Sequence, residues 1–585
     1  MEIKRIFDLL ENYKQQFPDK PDVIAGKDNG VWIKFSINQY IEKANNVSYG
    51  LMALGVKKGD TIASITFNRP EWNIIDMGIQ QIGAIHIPIY PNISDSDYLY
   101  ILNHAEVKYI FVAGEEMYRR IKHIIQDIPT LKTIYTFRNL HGFEHLNELI
   151  EFGKNNKNKK RLDEIKNSLT ENDIATIIYT SGTTGTPKGV VLKHKNIISN
   201  FTVVSYILPY GPESRALSFL PICHIFERMV NYLFQYRGIS IYFAENLGTV
   251  MDNIKEVKPQ VMTTVPRLLE KIYERILFNG KKLKGIKKII FYWALNIGQE
   301  YNLYKENGWF YELKLSLARK LVFKKWEEAL GGIDLMVSGG AALQPRLNRI
   351  FWAAGFRILE GYGLSETSPV IAVNTLEPNG CKFGTVGEVI KNTIVKIAPD
   401  GEILCKGPCI MDGYFKHPEQ TSQVIDQDGW FHTGDIGEFD GTKLKITGRK
   451  KEIFKTSFGK YISPQLLENK FKESQYIDNL LVVGENQKFA AAIIAPDFTL
   501  LREWCEEQGI VYTTHSEMIR HPEIKKLFEK EIEYYNKFFG DAEQIKRFEL
   551  VDNEWSVESG DLTATLKLRR TYMSKKYACI IQKLF

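Results

Sequence analysis

What this 585-residue chain lacks narrows its class first. No uninterrupted apolar run approaches the roughly 20 residues that cross a bilayer, so no membrane-spanning helix is expected. The opening residues, Met1-Glu-Ile-Lys-Arg-Ile-Phe-Asp, place charges where the apolar core of a signal peptide would start, which predicts a cytoplasmic protein. Cysteine is scarce: Cys223, Cys381, Cys405, Cys409, Cys505 and Cys579 are scattered and fit reduced thiols rather than a disulfide framework. Cys405 and Cys409 lie close together without a second Cys/His pair, which argues against zinc. The net charge of +6 is small for the length and gives no sign of a nucleic-acid partner. There is no internal repeat and no low-complexity tail. An apolar fraction of 44% with 25% charged residues suits a soluble globular enzyme, and the length exceeds what one hydrophobic core organises.

The richest stretch is Tyr179-Thr-Ser-Gly-Thr-Thr-Gly-Thr-Pro-Lys-Gly189. It follows Ile174-Ala-Thr-Ile-Ile178, which reads as a buried strand, and precedes the apolar run Val190-Val-Leu192. Glycines, hydroxyls and one lysine offer backbone N–H groups, O–H donors and a cation with little bulk, as wrapping a polyphosphate requires. It is not a Walker loop, because Pro187 rather than glycine precedes Lys188.

Up to about residue 400 the chain alternates short apolar runs with helical patterns: strands at 61–67, 86–90 and 109–112, a helix at 72–82. That alternation predicts α/β layers with largely parallel sheets. Residues 155–167, dense in Lys and Asn, read as a surface connection. Residues 334–343 predict a strand and glycine turn, followed by a helix through Trp352 whose amide-rich start suits a nucleotide. Between 384 and 448 short strands punctuated by Gly, Pro and Asp predict a β-rich subdomain. A smaller α+β unit follows, with strands at 479–483 and 490–494. The expected fold class is therefore α/β: a large N-terminal domain (1–447) of layered α/β subdomains plus the β-rich subdomain, and a small α+β C-terminal domain (448–585).

Other segments mix chemistries. Gly361-Tyr-Gly-Leu-Ser-Glu-Thr367 sets an aromatic face beside a hydroxyl and a carboxylate. Tyrosine can stack on a purine, and a carboxylate near phosphates is useful when it holds Mg²⁺. Trp430-Phe-His-Thr-Gly-Asp435 ends in an acid fit for ribose hydroxyls, or for an Asx turn. Gly448-Arg-Lys-Lys-Glu-Ile-Phe-Lys455 and Leu562-Thr-Ala-Thr-Leu-Lys-Leu-Arg-Arg570 read equally well as solvated basic runs.

Taken in this order, the segments resemble the ATP-dependent adenylate-forming superfamily of acyl-CoA synthetases, peptide-synthetase adenylation domains and luciferases. The resemblance runs from about Ala25 to Arg570. It is closest in kind to the long-chain fatty acid–CoA ligase branch, through Leu220-Pro-Ile-Cys-His-Ile-Phe-Glu-Arg228, Thr264-Val-Pro-Arg-Leu-Leu-Glu-Lys271 and the run from Arg449 to Gly459-Lys-Tyr-Ile-Ser-Pro464. It implies activation of a fatty acid with ATP to an acyl-adenylate, with loss of pyrophosphate, and then transfer of the acyl group to CoA. ATP, Mg²⁺ and CoA would be the cofactor and co-substrates.

The same resemblance assigns roles. Thr180, Ser181, Gly182, Thr183, Thr184, Gly185, Thr186 and Lys188 would hold the β- and γ-phosphates, with Thr184 counted among the catalytic residues. Gly340, Ala341 and Ala342 would line the adenine slot, Tyr362 beside Gly363 would stack on the base, and Ser365 would sit near the α-phosphate. Glu366 would bind Mg²⁺; Asp435 and Arg449 would hold the ribose. Lys567 would bridge the substrate carboxylate and the phosphate oxygens, an electrostatic task, since the attacking carboxylate is already ionised at neutral pH. His224 would gate or orient at the acyl–pantetheine junction; a buried structural histidine is the alternative. Lys451 would be the hinge, near 449–451, of a rotating C-terminal domain, and Gly459 would line the pantetheine channel.

One departure stands out: Phe458 occupies the place where the branch usually has glycine, ahead of Gly459. It keeps open an acyl-AMP ligase that loads an acyl carrier protein. A non-catalytic acyl- or nucleotide-binding regulator is the other alternative, although Lys188, Glu366, Asp435 and Lys567 are all present. Residues 201–208, 229–242 and 262–265 would line an acyl tunnel, but their composition equally describes a core. Lys281, Lys282, Lys284, Lys287 and Lys288 precede Ile289-Ile-Phe-Tyr-Trp-Ala-Leu295, a pairing that suits peripheral contact with an anionic membrane or a packed helix with a lysine face. The acid preferred and the oligomeric state are not legible in the sequence.

Overall fold

A computed structural model describes residues 2–181, 186–541, 543–556, 559–563 and 568–585, without the side chains of Ser181 and Leu247. Strands such as Thr61–Ile65 and Ile85–Ile89 are buried at every position, the mark of parallel strands covered on both faces. They belong to a seven-stranded sheet running, by residue number, 413–414, 187–193, 174–181, 85–89, 61–65, 109–112, 133–136. Its last five strands are mutually parallel; 187–193 and 413–414 add on antiparallel. A second, nine-stranded sheet runs 388–389, 370–373, 357–363, 335–338, 261–264, 215–218, 240–243, 24–28, 31–35. Its central strands are parallel and its edges antiparallel. Helices seal both sheets. Pro70–Gln81 starts on a proline whose missing N–H costs nothing in the first turn, and Ile37–Ala53 starts on a Ser36/Gln39 capping box.

The β-rich stretch is a four-stranded antiparallel sheet, 394–397, 402–406, 431–440 and 443–449. Beyond it lies a three-stranded sheet (477–483, 490–496, 545–550), whose first two strands send alternate side chains into buried cores on opposite faces while 545–550 is largely exposed. Leu480, Val482, Ala492 and Ile494 pack with the helices Pro464–Phe471, Phe498–Gln508 and Pro522–Asn536. Leu481, Ala491, Ile493 and Ala495 face Trp555, Met573 and Tyr577. Where this part meets the rest, Arg267 pairs with Asp478, and Gln344 and Arg346 donate to the carbonyls of Lys472 and Glu473. A cavity of about 360 Å³ opens along that seam.

Residues 155–167 lie at the surface as expected, but the connection is largely helical: the helix Leu146–Asn155 is followed by Lys159–Ser168, capped by the Asn158 side chain. Only Leu162 of the second helix is buried, so its polar composition hides its helical pattern.

Candidate active site

The phosphate-type loop joins two antiparallel strands, Ile174–Ser181 and Pro187–Lys193, which pair Thr180 with Lys188 and Tyr179 with Gly189. The hairpin therefore fixes both ends of the loop. A Cβ at Gly189 would lie 2.8 Å from the Ile177 side chain, which explains a glycine there. Gly182, Thr183, Thr184 and Gly185 lie outside the described residues, as does the Ser181 side chain. Thr186 is exposed and Lys188 half-buried.

Lys188 stands 5.0 Å over the ring of Tyr414, whose hydroxyl donates to Glu366 Oε1 at 2.9 Å. Partial burial and the nearby Lys451 pull the Lys188 pKa below its ordinary value, against the opposing pull of Glu366. Glu366 sits in the short 3-10 turn Ser365–Thr367, and its carbonyl accepts from Met411 N at 2.8 Å. Lys188, Glu366 and Lys451 are thus electrostatic neighbours.

The strand Arg357–Gly363 ends in this region, beside Val370–Val373, with a register shift between Tyr362 and Gly363. A Cβ on Gly363 would fall 1.7 Å from the Pro369 carbonyl, so no other residue fits. The Tyr362 hydroxyl donates to Asp435 Oδ2 at 2.7 Å, and Arg449 Nε lies 2.9 Å from Oδ1. Asp435 and Arg449 are cross-strand partners on the hairpin made by Phe431–Asp440 and Lys443–Arg449. Asp435, Glu452 and Glu366 hold the Arg449 pKa above its usual value, against desolvation by burial.

Gly340 has φ +83° in the turn after the strand Leu335–Ser338, and Ala341 and Ala342 are exposed beside it. The turn is braced from below: Glu360 Oε2 accepts from Leu343 N at 3.3 Å and Oε1 from Asn348 Nδ2 at 3.2 Å. Burial pushes the Glu360 carboxyl up to about 8. Since Ser338 pairs with Glu360 across adjacent parallel strands, this turn and Tyr362 lie at neighbouring carboxyl ends, the usual crevice for ligands of α/β sheets. His224 caps the helix Ile225–Tyr236 with its ring 6.0 Å from that of Tyr90. Two residues on, the Phe226 ring would meet a Cβ on Gly339 at 3.1 Å, which ties this helix start to the same turn.

Gly459, at φ +81°, and Phe458, 73% exposed, form the turn of the hairpin 454–455/461–462, with the ring toward solvent. Lys567 lies outside the described residues. The lysine-rich segment divides: Ile286 and Ile289 are exposed with Lys287 and Lys288, whereas Phe291, Ala294 and Leu295 are buried. Among the described residues no helix is long and apolar enough to cross a membrane, and no cluster of three or more His, Cys, Asp or Glu forms a metal cage.

Sequence reasoning missed three groups. Tyr414, between Gly413 and Phe415, carries no chemical signature, though a tyrosine on an edge strand beside the loop's own hairpin was findable once the strands were paired. Glu402 accepts from Gly434 N at 3.0 Å and from Lys450 Nζ at 2.8 Å, bracing the Asp435 turn against the residue next to Lys451. Glu227, fully buried, accepts from Ser218 Oγ at 2.5 Å and from Thr263 Oγ1; burial raises its carboxyl to about 7.

Lys188, Tyr414 and Glu366 thus form one contact group, and Tyr362, Asp435 and Arg449 a second beside it, with Glu366 close enough to act on the Arg449 charge. The chain belongs to the AMP-binding enzyme family, whose model it matches over residues 10–415. It is 30% identical over 580 residues to the long-chain-fatty-acid–CoA ligase FadD15 of Mycobacterium bovis, covering 97% of this chain and 95% of that one. It is likewise 30% identical over 594 residues to long-chain-fatty-acid–CoA ligase 1 of Homo sapiens, covering 95% and 82%. Among solved structures, the adenylation domain of a carboxylate reductase from Mycobacterium chelonae superposes with a TM-score of 0.77 at 18% identity, over 99% of this chain and 91% of that one. That last likeness concerns the fold.

Proposed function

We propose that the protein is an AMP-forming long-chain fatty acid–CoA ligase. The observation that supports this reading is that Lys188, Tyr414 and Glu366, and beside them Tyr362, Asp435 and Arg449, remote in sequence, come into contact. A carboxylate is a poor acyl donor because its leaving group would be oxide. In the first half-reaction a carboxylate oxygen attacks the α-phosphorus of ATP, and the bond to the β-phosphate breaks with loss of pyrophosphate. In the second, the CoA thiol sulfur attacks the acyl carbon, AMP leaves, and the thiol proton goes to solvent.

In this reading the loop 180–188 holds the β- and γ-phosphates, Thr184 included, with Lys188 as its cation. The turn Gly340-Ala-Ala342 and the ring of Tyr362, with Gly363 allowing close approach, enclose adenine. Ser365 lies by the α-phosphate, and Asp435 with Arg449 holds the ribose hydroxyls. Glu366 fits a Mg²⁺ ion: it is one carboxylate held by a tyrosine hydroxyl among cations, and Mg²⁺ is commonly bound by one or two carboxylates with substrate phosphates completing the shell. When bound, the ion would offset phosphate charge. His224 orients the acyl end and Gly459 lines the pantetheine path.

We assign residues 1–447 to the adenylation domain and 448–585 to a mobile lid, hinged near Lys451, that presents Lys567 for the first step. Activity in the cytoplasm, with peripheral contact with an anionic membrane where free fatty acids partition, belongs to the same reading. The test is incubation with palmitate, ATP, Mg²⁺ and CoA, with mass spectrometry of the products. Acyl-CoA and AMP are expected. Acyl-adenylate without thioester would instead favour loading of a carrier protein, the reading that the exposed Phe458 supports. Absence of pyrophosphate with every fatty acid would favour a binding-only regulator.

A further inference from the structure

Among the described residues, exposed apolar side chains cluster along the helical segment 309–325. It comprises the helix Trp309–Ala318, a π-helical turn Arg319–Phe323, and the start of the helix Lys324–Ala329. Its inner row, including Tyr311, Leu315, Val322 and Phe323, is buried in a core with Phe291 and Phe351, and the Tyr311 hydroxyl donates to the Ile297 carbonyl at 2.5 Å. Its outer row is just as apolar: Trp309 is 74% exposed, Phe310 60%, Leu313 62%, Leu317 49% and Leu321 42%.

The four-residue spacing from Trp309 through Leu321 keeps these side chains on one stripe. An apolar row on the solvent side of a helix whose inner row is already buried in a core calls for a partner of its own. Lys314, Lys320, Lys324 and Lys325 are exposed around the stripe with Arg319, and Glu312 is the one acid within 309–325, with Glu327 and Glu328 just beyond it.

We propose that this stripe seats the protein on an anionic lipid bilayer, with Trp309, Phe310 and the leucines at the boundary of headgroups and acyl chains and the lysines among the phosphates. Charge selects this occupant: a second copy docked stripe to stripe would bring two lysine rows together, whereas an anionic surface neutralises them. The inference rests on the ligase reading only for its use, the capture of a substrate dissolved in the membrane.

The experiment is co-sedimentation of the full-length protein with vesicles of phosphatidylcholine alone or mixed with phosphatidylglycerol. The wild type is expected to pellet with the anionic vesicles. The double variant Leu313→Glu/Leu317→Glu, at surface positions, is expected to lose about ten-fold in binding. It should keep its circular dichroism spectrum and its pyrophosphate release with a soluble medium-chain acid. Lys320→Glu/Lys324→Glu is expected to erase the preference for phosphatidylglycerol. A wild type left in the supernatant overturns the inference. So does undiminished binding of the leucine variant, loss of binding only in Ile286→Glu/Ile289→Glu, or a dimer by light scattering that the leucine variant dissociates. Vesicle binding through the stripe by a protein that releases no pyrophosphate with any fatty acid upholds the stripe and refutes the ligase reading.

Discussion

Asp76 and Arg228 lie at the centre of the molecule, neither exposed to solvent, and their replacement gives the sharpest energetic prediction. Arg228 donates to Asp76 Oδ1, to Thr176 Oγ1 at 2.6 Å and to the Tyr232 hydroxyl at 2.8 Å. Asp76 also accepts from Tyr232 at 2.5 Å and from His86 Nδ1 at 2.6 Å. Every polar group of the pair is satisfied; the ion pair joins the helix Pro70–Gln81 to the helix Ile225–Tyr236, and His86 and Thr176 tie it to two strands of the seven-stranded sheet. Asp76→Ala would leave a buried guanidinium facing only hydroxyls. Breaking such a pair by removing one partner costs about 3–5 kcal/mol, whereas replacing both partners with apolar groups of similar volume is often near neutral.

The expected pattern is therefore a non-additive cycle. Asp76→Ala and Arg228→Met are each expected to destabilise by about 3–5 kcal/mol, and the double variant to lose at least about 2 kcal/mol less than their sum. Urea unfolding followed by tryptophan fluorescence reads the effect locally, because the Arg228 guanidinium lies 5.2 Å from the ring centre of Trp72. Loss of the network also frees the start of the His224 helix, so pyrophosphate release should fall with stability. A destabilisation below about 1 kcal/mol for Asp76→Ala, or an additive double variant, would refute the reasoning.

Asp435→Ala removes the acceptor shared by Tyr362 and Arg449 and is expected to raise the KM for ATP about ten-fold or more, while the fatty-acid KM stays level; initial-rate kinetics check it. Tyr414→Phe releases Glu366 from its hydroxyl partner, and a magnesium titration is expected to show a several-fold higher half-saturating concentration at unchanged stability. Lys567→Ala is expected to cripple adenylation yet spare thioester formation from supplied acyl-adenylate; equal loss in both half-reactions contradicts the lid assignment. His194, 1% exposed, accepts from Ile6 N at 3.2 Å, and burial lowers its pKa from 6.5 to about 4. Its contribution is thus full above about pH 6.5 and lost as pH falls toward 4. His194→Gln should flatten that acid limb by about 3 kcal/mol, read as stability against pH.

Much of the scaffold was legible because local periodicity and burial agree. The runs at 61–67, 86–90 and 109–112 are strands in the parallel sheet, and the glycine turn at 339–344 does join a strand to a helix. The polar helix Lys159–Ser168 escaped because one buried leucine leaves no periodic stripe to detect. The Asp76–His86–Arg228 cluster escaped for a different reason. Its members belong to elements that only the tertiary fold brings together, and a histidine or arginine on a buried face has no local spacing to announce it. The stripe at 309–325 shows the same limit from the other side: an apolar helix reads as core, and only solvent exposure distinguishes the outer row from the inner one.

The site itself follows a different logic, in which the local rules are broken together. Lys188 is held near another lysine and has its pKa lowered by partial burial and that repulsion, which Glu366 offsets only in part. Glu366 faces the same lysine, yet its hydroxyl partner is Tyr414. Asp435 and Arg449 pair with the Arg449 side chain 41% exposed, where an ion pair adds little to stability. In the ligase reading these groups would gain their purpose from the ligand: a polyphosphate with its counter-cation would lie between the lysines and the carboxylate, and a vicinal diol would meet the aspartate. Unfavourable electrostatics gathered on loops and strand ends, within an otherwise well-satisfied core, are what distinguish a binding site for a charged nucleotide from another stretch of surface.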